Sequence, residues 1–295
     1  MLKLIVIDAF AKINLTLDIL DKREDGYHDV ELVLQSIALA DNLELAQIDS
    51  GIKFEMNVDN VVGGETLSND NNNLAYRAAE LVMQSCNLSS GVFIRLTKKI
   101  PIAAGLAGGS TDAAAVIRGM NQLFNLRLTT DKMCELGAQI GSDVPFCIVG
   151  GTCLAYGRGE KLKRLADLPS IPIILLKPRG AIPTAWAYKT YDDDKSPDHP
   201  DTAAICEAIN LSDYEAVYEL IFNVLERVAI KKYPAITSYK EKLIEAGAVA
   251  AMMSGSGPSI FGIAKTRDDA LRIAETFKDS GVQVFVTETI GRIIR

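Results

Sequence analysis

The sequence has few of the residues that build metal centres and disulfide frameworks. It contains only two histidines, His28 and His199, and five cysteines. Because the cysteines are odd in number and show no CxxC spacing, no zinc quartet can be assembled by motif and no disulfide framework is indicated. The pattern predicts reduced thiols in a cytoplasmic protein without a structural metal.

The sequence also lacks a long apolar run and a cluster of positive charge. No apolar stretch reaches the roughly 18 residues of a membrane span, and Asp8 interrupts the N-terminal apolar segment where a secretory leader would need none. The formal net charge is −7, and the lysines and arginines are scattered singly or in pairs. The sequence therefore argues against membrane and nucleic-acid partners. A small anionic ligand is still allowed, because helix N-termini bind phosphate whatever the net charge.

The length and composition are those of an α+β enzyme of one large or two ordinary domains. Of 295 residues, 48% are hydrophobic and 23% are charged. Apolar periodicity predicts strands at residues 4–7, 13–19, 30–39, 43–48, 52–58, 92–96, 151–156, 171–176, 249–253, 259–264 and 282–287. It predicts helices at 73–85, 110–123, 129–139, 213–228, 235–246 and 268–277, with a further start at Pro183.

The predicted order of these elements suggests where the chain divides. In the second half, the succession helix, strand, strand, helix, strand is typical of a ferredoxin-like sandwich. We predict an N-terminal domain at residues 1–160, a C-terminal domain at 161–295, and an exposed, mobile polar loop at 192–201.

The most informative segment is a glycine-rich stretch that runs into a predicted helix capped by Ser110 or Thr111. It reads Pro101, Ile102, Ala103, Ala104, Gly105, Leu106, Ala107, Gly108, Gly109, Ser110, Thr111 and Asp112. Small residues let a ligand approach the backbone, and the free N–H groups and positive dipole end of the helix make an anion site. It is neither a Walker P-loop nor a dinucleotide fingerprint, and the pattern alone equally allows a structural turn.

A second glycine-rich turn, at residues 254–259, lies between two predicted strands. It is consistent with a tight hairpin that needs glycines at positive φ. It is equally consistent with a wall of a phosphate or substrate site.

Three polar residues are candidates for chemistry. Asp143 precedes an apolar run and is either a turn or cap residue or a base. Lys12 and Asn14 share one predicted strand face, with Ile13, Leu15 and Leu17 on the other. That polar face is either solvated or places a lysine beside an aspartate, which would keep the aspartate ionised and stabilise a developing alkoxide.

Five segments, in this order and spacing, together resemble the GHMP kinase superfamily. They are residues 11–15 (Ala-Lys-Ile-Asn-Leu), 26–28 (Gly-Tyr-His), 101–112, 141–146 (Gly-Ser-Asp-Val-Pro-Phe) and 255–259 (Gly-Ser-Gly-Pro-Ser). The resemblance spans nearly the whole chain. It implies a ribosomal-protein-S5-like N-terminal domain, a ferredoxin-like C-terminal domain and an active site in the cleft between them. It also implies γ-phosphoryl transfer from ATP to the 2-hydroxyl of a cytidine-diphosphate-linked methylerythritol. Mg²⁺ is expected with ATP, because it bridges phosphate oxygens in phosphoryl transfer generally.

The resemblance also assigns roles to individual positions. The general base falls on Asp143 and the catalytic lysine on Lys12, with Asn14 beside it in the substrate site. The ATP loop falls on residues 101–111, with Ala107 where many members have glycine and Thr111 where many have serine. Tyr27 and His28 correspond to the pair that recognises cytidine, and Tyr188 to an aromatic that stacks on the base.

Two alternatives stay open from the sequence. One keeps the superfamily but changes the substrate to that of homoserine kinase, mevalonate kinase or diphosphomevalonate decarboxylase. The other is a catalytically silent nucleotide-binding protein, against which the presence of both Asp143 and Lys12 argues. Monomer and homodimer are equally consistent with the sequence.

Overall fold

Two β-sheets organise the chain, which a computed structural model describes over residues 3–58, 71–194, 198–278 and 280–293. The strands are β1 Leu4–Lys22, β2 His28–Ile48, β3 Ile52–Val58, β4 Gly91–Lys98, β5 Thr152–Gly157, β6 Lys161–Arg164, β7 Pro172–Lys177, β8 Phe222–Asn223, β9 Ala250–Met253, β10 Ile260–Ile263 and β11 Gln283–Glu288. The helices are α1 Leu74–Ser85, α2 Gly108–Leu123, α3 Thr130–Ile140, α4 Val144–Val149, α5 Thr184–Asp193, α6 Thr202–Leu211, α7 Tyr214–Leu220, α8 Val224–Lys232, α9 Ala235–Glu245 and α10 Arg267–Glu275. Among these described helices, none is long and apolar enough to cross a bilayer.

The first sheet is built on two long antiparallel strands. Its order is β3-β4-β2-β1-β8, with β5 paired to β2 and β6 to β5. The sequence predicts four shorter strands where β1 and β2 run unbroken, and that prediction is wrong. Residues 8–12 and 40–42, which would have to turn, contain no glycine or proline, so nothing ends the strands there.

Bulges in β1 decide which side chains face the site. Its pairing with β2 shifts register between Phe10 and Lys12 and again between Asn14 and Thr16. Ile13 and Leu15 therefore pack in the core that also holds Phe261, whereas Leu17 belongs to the core beneath α2. The prediction that Leu17 shares a face with Ile13 is wrong, because a bulge inserts a residue and turns the strand over.

The second sheet has the order β11-β7-β10-β9, with all neighbours antiparallel. This is the strand order of a ferredoxin-like sandwich, and the predicted α+β class is confirmed. The helix predicted at 213–228 is instead α7, β8 and α8, and β8 pairs with β1 of the first sheet. Asn223 ends β8 and caps α8 by accepting from the Leu225 N–H at 2.9 Å. The division at residue 160 stays a prediction.

The polar loop predicted at 192–201 is only partly described. Helix α5 continues to Asp193, and residues 195–197 lie outside the described ranges. The predicted exposure and mobility of that loop are therefore untested.

Candidate active site

The glycine-rich stretch leads into α2 through a left-handed residue. Ala107 has φ 58° and ψ 28°, and no side chain caps the helix. The helix therefore begins at Gly108, and the prediction that Ser110 or Thr111 caps it is wrong. Thr111 is buried and donates from Oγ1 to the carbonyl of Phe10 at 2.5 Å. Gly108, Gly109 and Ser110 line a cavity of about 480 Å³, so an uncapped helix N-terminus is available to an anion there.

The two glycine-rich turns pack against each other at this cavity. Ser254 donates from Oγ to the carbonyl of Gly105 at 3.1 Å, and Asn223 Nδ2 donates to the carbonyl of Gly255 at 2.9 Å. Gly255, Ser256 and Gly257 line the same cavity as residues 101–110. The second turn is thus both the connection between β9 and β10 and a wall of the cavity.

Gly105→Ala is expected to raise the KM for ATP at least about tenfold and to lower Tm. Gly105 has φ +75°, and a Cβ there would lie 2.2 Å from the backbone oxygen of Ser254. The contact between the two glycine-rich turns at Gly105 and Ser254, called the seam below, must therefore open. Gly51→Ala is the matched control, because Gly51 has φ +73° and nothing within 4 Å of a Cβ. The control should lose only the stability, about 1 kcal/mol, that an alanine costs at a left-handed backbone position. Equal KM values for the two variants would contradict the role of the seam.

A buried ion cluster lies beneath the glycine-rich stretch. Lys98 Nζ donates to Asp112 Oδ2 at 2.6 Å and also to Asp41, which accepts from the Ile100 N–H at 2.8 Å. Burial raises the pKa of Asp112 well above its ordinary value even though Lys98 opposes the shift. Asp112 Oδ1 is buried with no partner among the described residues, and Lys98 and Asp112 both line the cavity. The cluster ties β2, the end of β4 and the N-terminal part of α2 together.

The two predicted catalytic residues face the same cavity. Lys12 is 5% exposed and donates from Nζ to Asn14 Oδ1 at 2.7 Å, while its backbone N–H donates to the carbonyl of Leu106 at 3.3 Å. Asp143 directly precedes α4, is half-buried, and makes no side-chain capping bond. The alternative that Asp143 serves as a cap is therefore not supported. Among the described residues, Lys12 and Asp143 form no ion pair within 4 Å.

Asp143 stands where two cavities meet. The second cavity, of about 660 Å³, is lined by Tyr27 and His28 together with Lys22, Arg158 and Lys189. It shares lining residues with the first cavity, namely Leu32, Ser110, Asp143, Thr184 and Tyr188. One cavity thus presents an uncapped helix N-terminus, the other presents aromatic rings and cations, and a carboxylate lies at their junction.

An aspartate that the sequence did not single out holds His28. Asp192 Oδ1 lies 2.6 Å from His28 Nε2, and Lys22 Nζ donates to Asp192 Oδ2 at 2.6 Å. Although partial burial opposes the shift, these two hydrogen bonds hold the pKa of Asp192 below its ordinary value. The His28 ring centroid is 5.1 Å from that of Tyr188. Nδ1 of His28 has no partner among the described residues.

Tyr27 and Tyr188 both line the second cavity but lie in different surroundings. Tyr27 is 54% exposed, and the Arg158 guanidinium lies 5.0 Å from the centre of its ring. Burial raises the pKa of the Tyr188 phenol, and the negative charge of Asp143 adds to the shift. Tyr188 therefore keeps its proton at neutral pH.

Comparison with known proteins shows which family the chain resembles. The model of the GHMP kinases N terminal domain matches residues 73–151, and that of the GHMP kinases C terminal matches residues 204–283. A 4-diphosphocytidyl-2-C-methyl-D-erythritol kinase of Acetivibrio thermocellus is 45% identical over 97% of this chain and 99% of its own length. A crystal structure of 4-(cytidine 5'-diphospho)-2C-methyl-D-erythritol kinase superposes with a TM-score of 0.80 at 32% identity, covering 97% of this chain and 100% of that one.

A homoserine kinase structure from Cytophaga hutchinsonii also superposes well, with a TM-score of 0.76 over 98% of this chain and 95% of that one. Its sequence identity is 17%. At that identity the likeness concerns the fold alone.

Proposed function

The chain belongs to the 4-diphosphocytidyl-2-C-methyl-D-erythritol kinases of the GHMP kinase family, and from this premise we propose that it phosphorylates 4-diphosphocytidyl-2-C-methyl-D-erythritol on its 2-hydroxyl. ATP is the phosphoryl donor, and the products are ADP and the 2-phosphate, an intermediate of the non-mevalonate isoprenoid precursor pathway. The observation that carries the proposal is the junction of two cavities at Asp143. A nucleotide triphosphate in one and a cytidine-linked alcohol in the other would present their reacting atoms to the same carboxylate.

The proposed chemistry uses positioning and electrostatics. Backbone N–H groups at the start of α2 hold the β- and γ-phosphates, while Asp143 accepts the proton of the attacking hydroxyl. The Lys12 ammonium, held by Asn14, stabilises the negative charge on the attacking oxygen and the transferring phosphoryl group. Lys22, Arg158 and Lys189 line the second cavity and are available to the diphosphate of the acceptor.

Magnesium is proposed to accompany ATP, and the oxygen groups present fit it. Among the described residues there is no cluster of three or more potential metal ligands. Mg²⁺ in kinases needs only one or two carboxylates besides substrate phosphates. Asp143, Ser110 and Asp112 line the nucleotide cavity and would hold it, and Asp112 Oδ1 has no partner among the described residues. When bound, Mg²⁺ would supply positive charge that offsets the negative charge of the phosphates.

A coupled ADP-release assay across acceptors tests the proposed function. We expect turnover with 4-diphosphocytidyl-2-C-methyl-D-erythritol and none above background with homoserine, mevalonate or diphosphomevalonate. Slow ATP hydrolysis without phosphorylation of any acceptor would instead favour the silent nucleotide-binding protein. Oligomeric state and cytoplasmic location stay predictions.

Base selectivity is proposed to depend on His28 Nδ1, the ring nitrogen that has no partner among the described residues. If Nε2 carries the hydrogen donated to Asp192, Nδ1 is an acceptor suited to the amino group of cytosine, and uracil presents a carbonyl there. Tyr27 and Tyr188 are proposed to supply stacking, which is worth about 1–3 kcal/mol per base but discriminates little.

His28→Ala is expected to narrow the cytidine-to-uridine ratio of kcat/KM by about tenfold or more, because a lost contact to the base edge costs discrimination. The matched control is His199→Ala. His199 also pairs with an aspartate, with Nδ1 2.7 Å from Asp18 Oδ1, but it lines neither cavity. An unchanged ratio in the His28 variant, together with a fall in Tm, would leave His28 a purely structural residue.

A further inference from the structure

A third cavity, of about 850 Å³, lies apart from the proposed active site. It is lined by Val6, Asp8 and Phe10 of β1, Arg118 of α2, and Asp167 with residues 290–293 near the C-terminal end. None of its lining residues lines either active-site cavity. Arg118 lies about 15 Å along α2 from Gly108, given the helical rise of 1.5 Å per residue.

Arg118 is an arginine with unmatched donors. Its Nη2 donates to the backbone carbonyl of Asp8 at 2.8 Å, and its Nε is buried without a partner among the described residues. No carboxylate of the described ranges forms an ion pair with it. Burial lowers the pKa of Arg118 to about 10, although Cys147 and Asp8 nearby oppose the shift, so the group stays charged at neutral pH. A guanidinium N–H that is buried without an acceptor is costly, and a bound anion that accepts from the guanidinium offsets that cost.

Arg292 brings a second guanidinium to the same cavity. Its Nε lies 3.1 Å from Asp167 Oδ2, and its side chain is 46% exposed. The guanidinium has further donors that this single contact does not use. Two backbone hydrogen bonds hold residues 290–293 against β2 and α4. The Ile290 N–H donates to the Ser36 carbonyl at 2.9 Å, and the Ile293 N–H donates to the Val149 carbonyl at 3.1 Å. The position of Arg292 is therefore set by the fold.

Besides Asp8, Asp167 and the two arginines, the walls of the cavity are mainly apolar. Val6 is 61% exposed, and Ile7, Phe10, Ile290 and Ile293 also line the space. Inorganic phosphate would satisfy the arginines but leave this surface in water. A ligand with an anionic head and an apolar body would cover both.

We propose that this cavity binds a phosphate monoester carrying a short apolar chain, with the phosphate on Arg118 and Arg292 and the chain on Val6 and Phe10. Guanidinium groups match phosphate oxygens in bidentate geometry, which favours phosphate as the head group. The proposal does not rest on the proposed function, because the two sites share no residue.

Calorimetric titration of the full chain with n-butyl phosphate tests this site, with a non-hydrolysable ATP analogue and CDP present at saturation to occupy the active-site cavities. We expect millimolar or tighter binding, weakened about tenfold or more by Arg118→Gln and by Arg292→Gln. Asp167→Asn should tighten binding, since it removes a competing carboxylate. The matched control is Arg267→Gln on α10, whose side chain is 65% exposed and lies outside the cavity. Unchanged affinity in both Arg118→Gln and Arg292→Gln overturns the proposal.

Two further arms separate the parts of the ligand. Val6→Ser should weaken n-butyl phosphate severalfold and leave inorganic phosphate unchanged, and equal effects on both would overturn the apolar wall. Pentanoate should bind more weakly than n-butyl phosphate, and tighter binding of pentanoate would overturn phosphate as the head group. Circular dichroism of each variant establishes that it is folded before its affinity is compared.

Discussion

Asp143→Asn is expected to lower kcat by about 10²–10⁴, the usual contribution of a positioned general base, and to leave the KM for ATP within about threefold of wild type. Asparagine keeps the shape of the side chain but cannot accept the hydroxyl proton. Because the Asp143 side chain makes no capping bond at the start of α4, Tm should change little. Steady-state kinetics with both substrates varied, beside a thermal melt, measures both effects.

The matched control for Asp143 is Asp131→Asn. Asp131 lies in the first turn of α3 and lines neither active-site cavity. Its substitution also removes a negative charge at a helix N-terminus. Its kcat should equal that of wild type. A kcat above about a third of wild type in Asp143→Asn would remove Asp143 from the mechanism.

Lys12→Met is expected to lower kcat by about 10²–10³, because it removes the positive charge proposed to stabilise the reacting oxygens. The substitution keeps the apolar stem but leaves Asn14 Oδ1 without its donor, so some stability is lost as well. Lys177→Met is the matched control for that loss. Lys177 is also a strand lysine of 5% exposure, and its Nζ donates to the carbonyls of Pro178 and Gly180 away from the cavities. The control should lower Tm and preserve kcat.

The double variant Lys12→Met with Asp143→Asn tests whether the two residues act as one unit. If they do, the double variant should be little slower than the slower single variant, as groups that serve the same transition state are strongly non-additive. If the fold reduction in kcat of the double variant equals the product of the two single fold reductions, the two residues act independently. Lys12 and Asp143 form no ion pair within 4 Å, so non-additive effects on kcat could not be explained by the loss of a direct contact between them. The measurement is therefore informative about their shared role in the transition state.

Sequence reasoning reached the parts of the site that lie within short segments. The glycine-rich stretch, Lys12 and Asp143 each belong to a local motif, and the structure brings all three to one cavity. The ion cluster of Lys98 with Asp41 and Asp112 was missed, because Asp41 and Lys98 are 57 positions apart and only the fold joins them. Asp192 was missed for the same reason, at 164 positions from His28. The one sequence feature that could have indicated the cluster is Lys98, a lysine at the end of an apolar strand.

The fold shows the same division between local and distant information. The ferredoxin-like order was predictable, because it depends only on the succession of helices and strands. Leu17 was placed on the wrong face, since a bulge is one inserted residue in a pairing that the sequence does not display. The break at residues 221–223 was missed because β8 exists only through its pairing with β1.

The seam between Gly105 and Ser254 makes the proposed nucleotide cavity a composite of both halves of the chain. All of the glycine-rich stretch precedes residue 160, yet the backbone at Gly105 rests on a turn that the second half supplies and Asn223 braces. In a chimera that joined residues 1–160 to the C-terminal half of a relative, the affinity for ATP would depend on the grafted half as well as on the retained glycine-rich stretch. If the proposed function holds, nucleotide recognition depends on this interface, and the two halves are therefore constrained to change together.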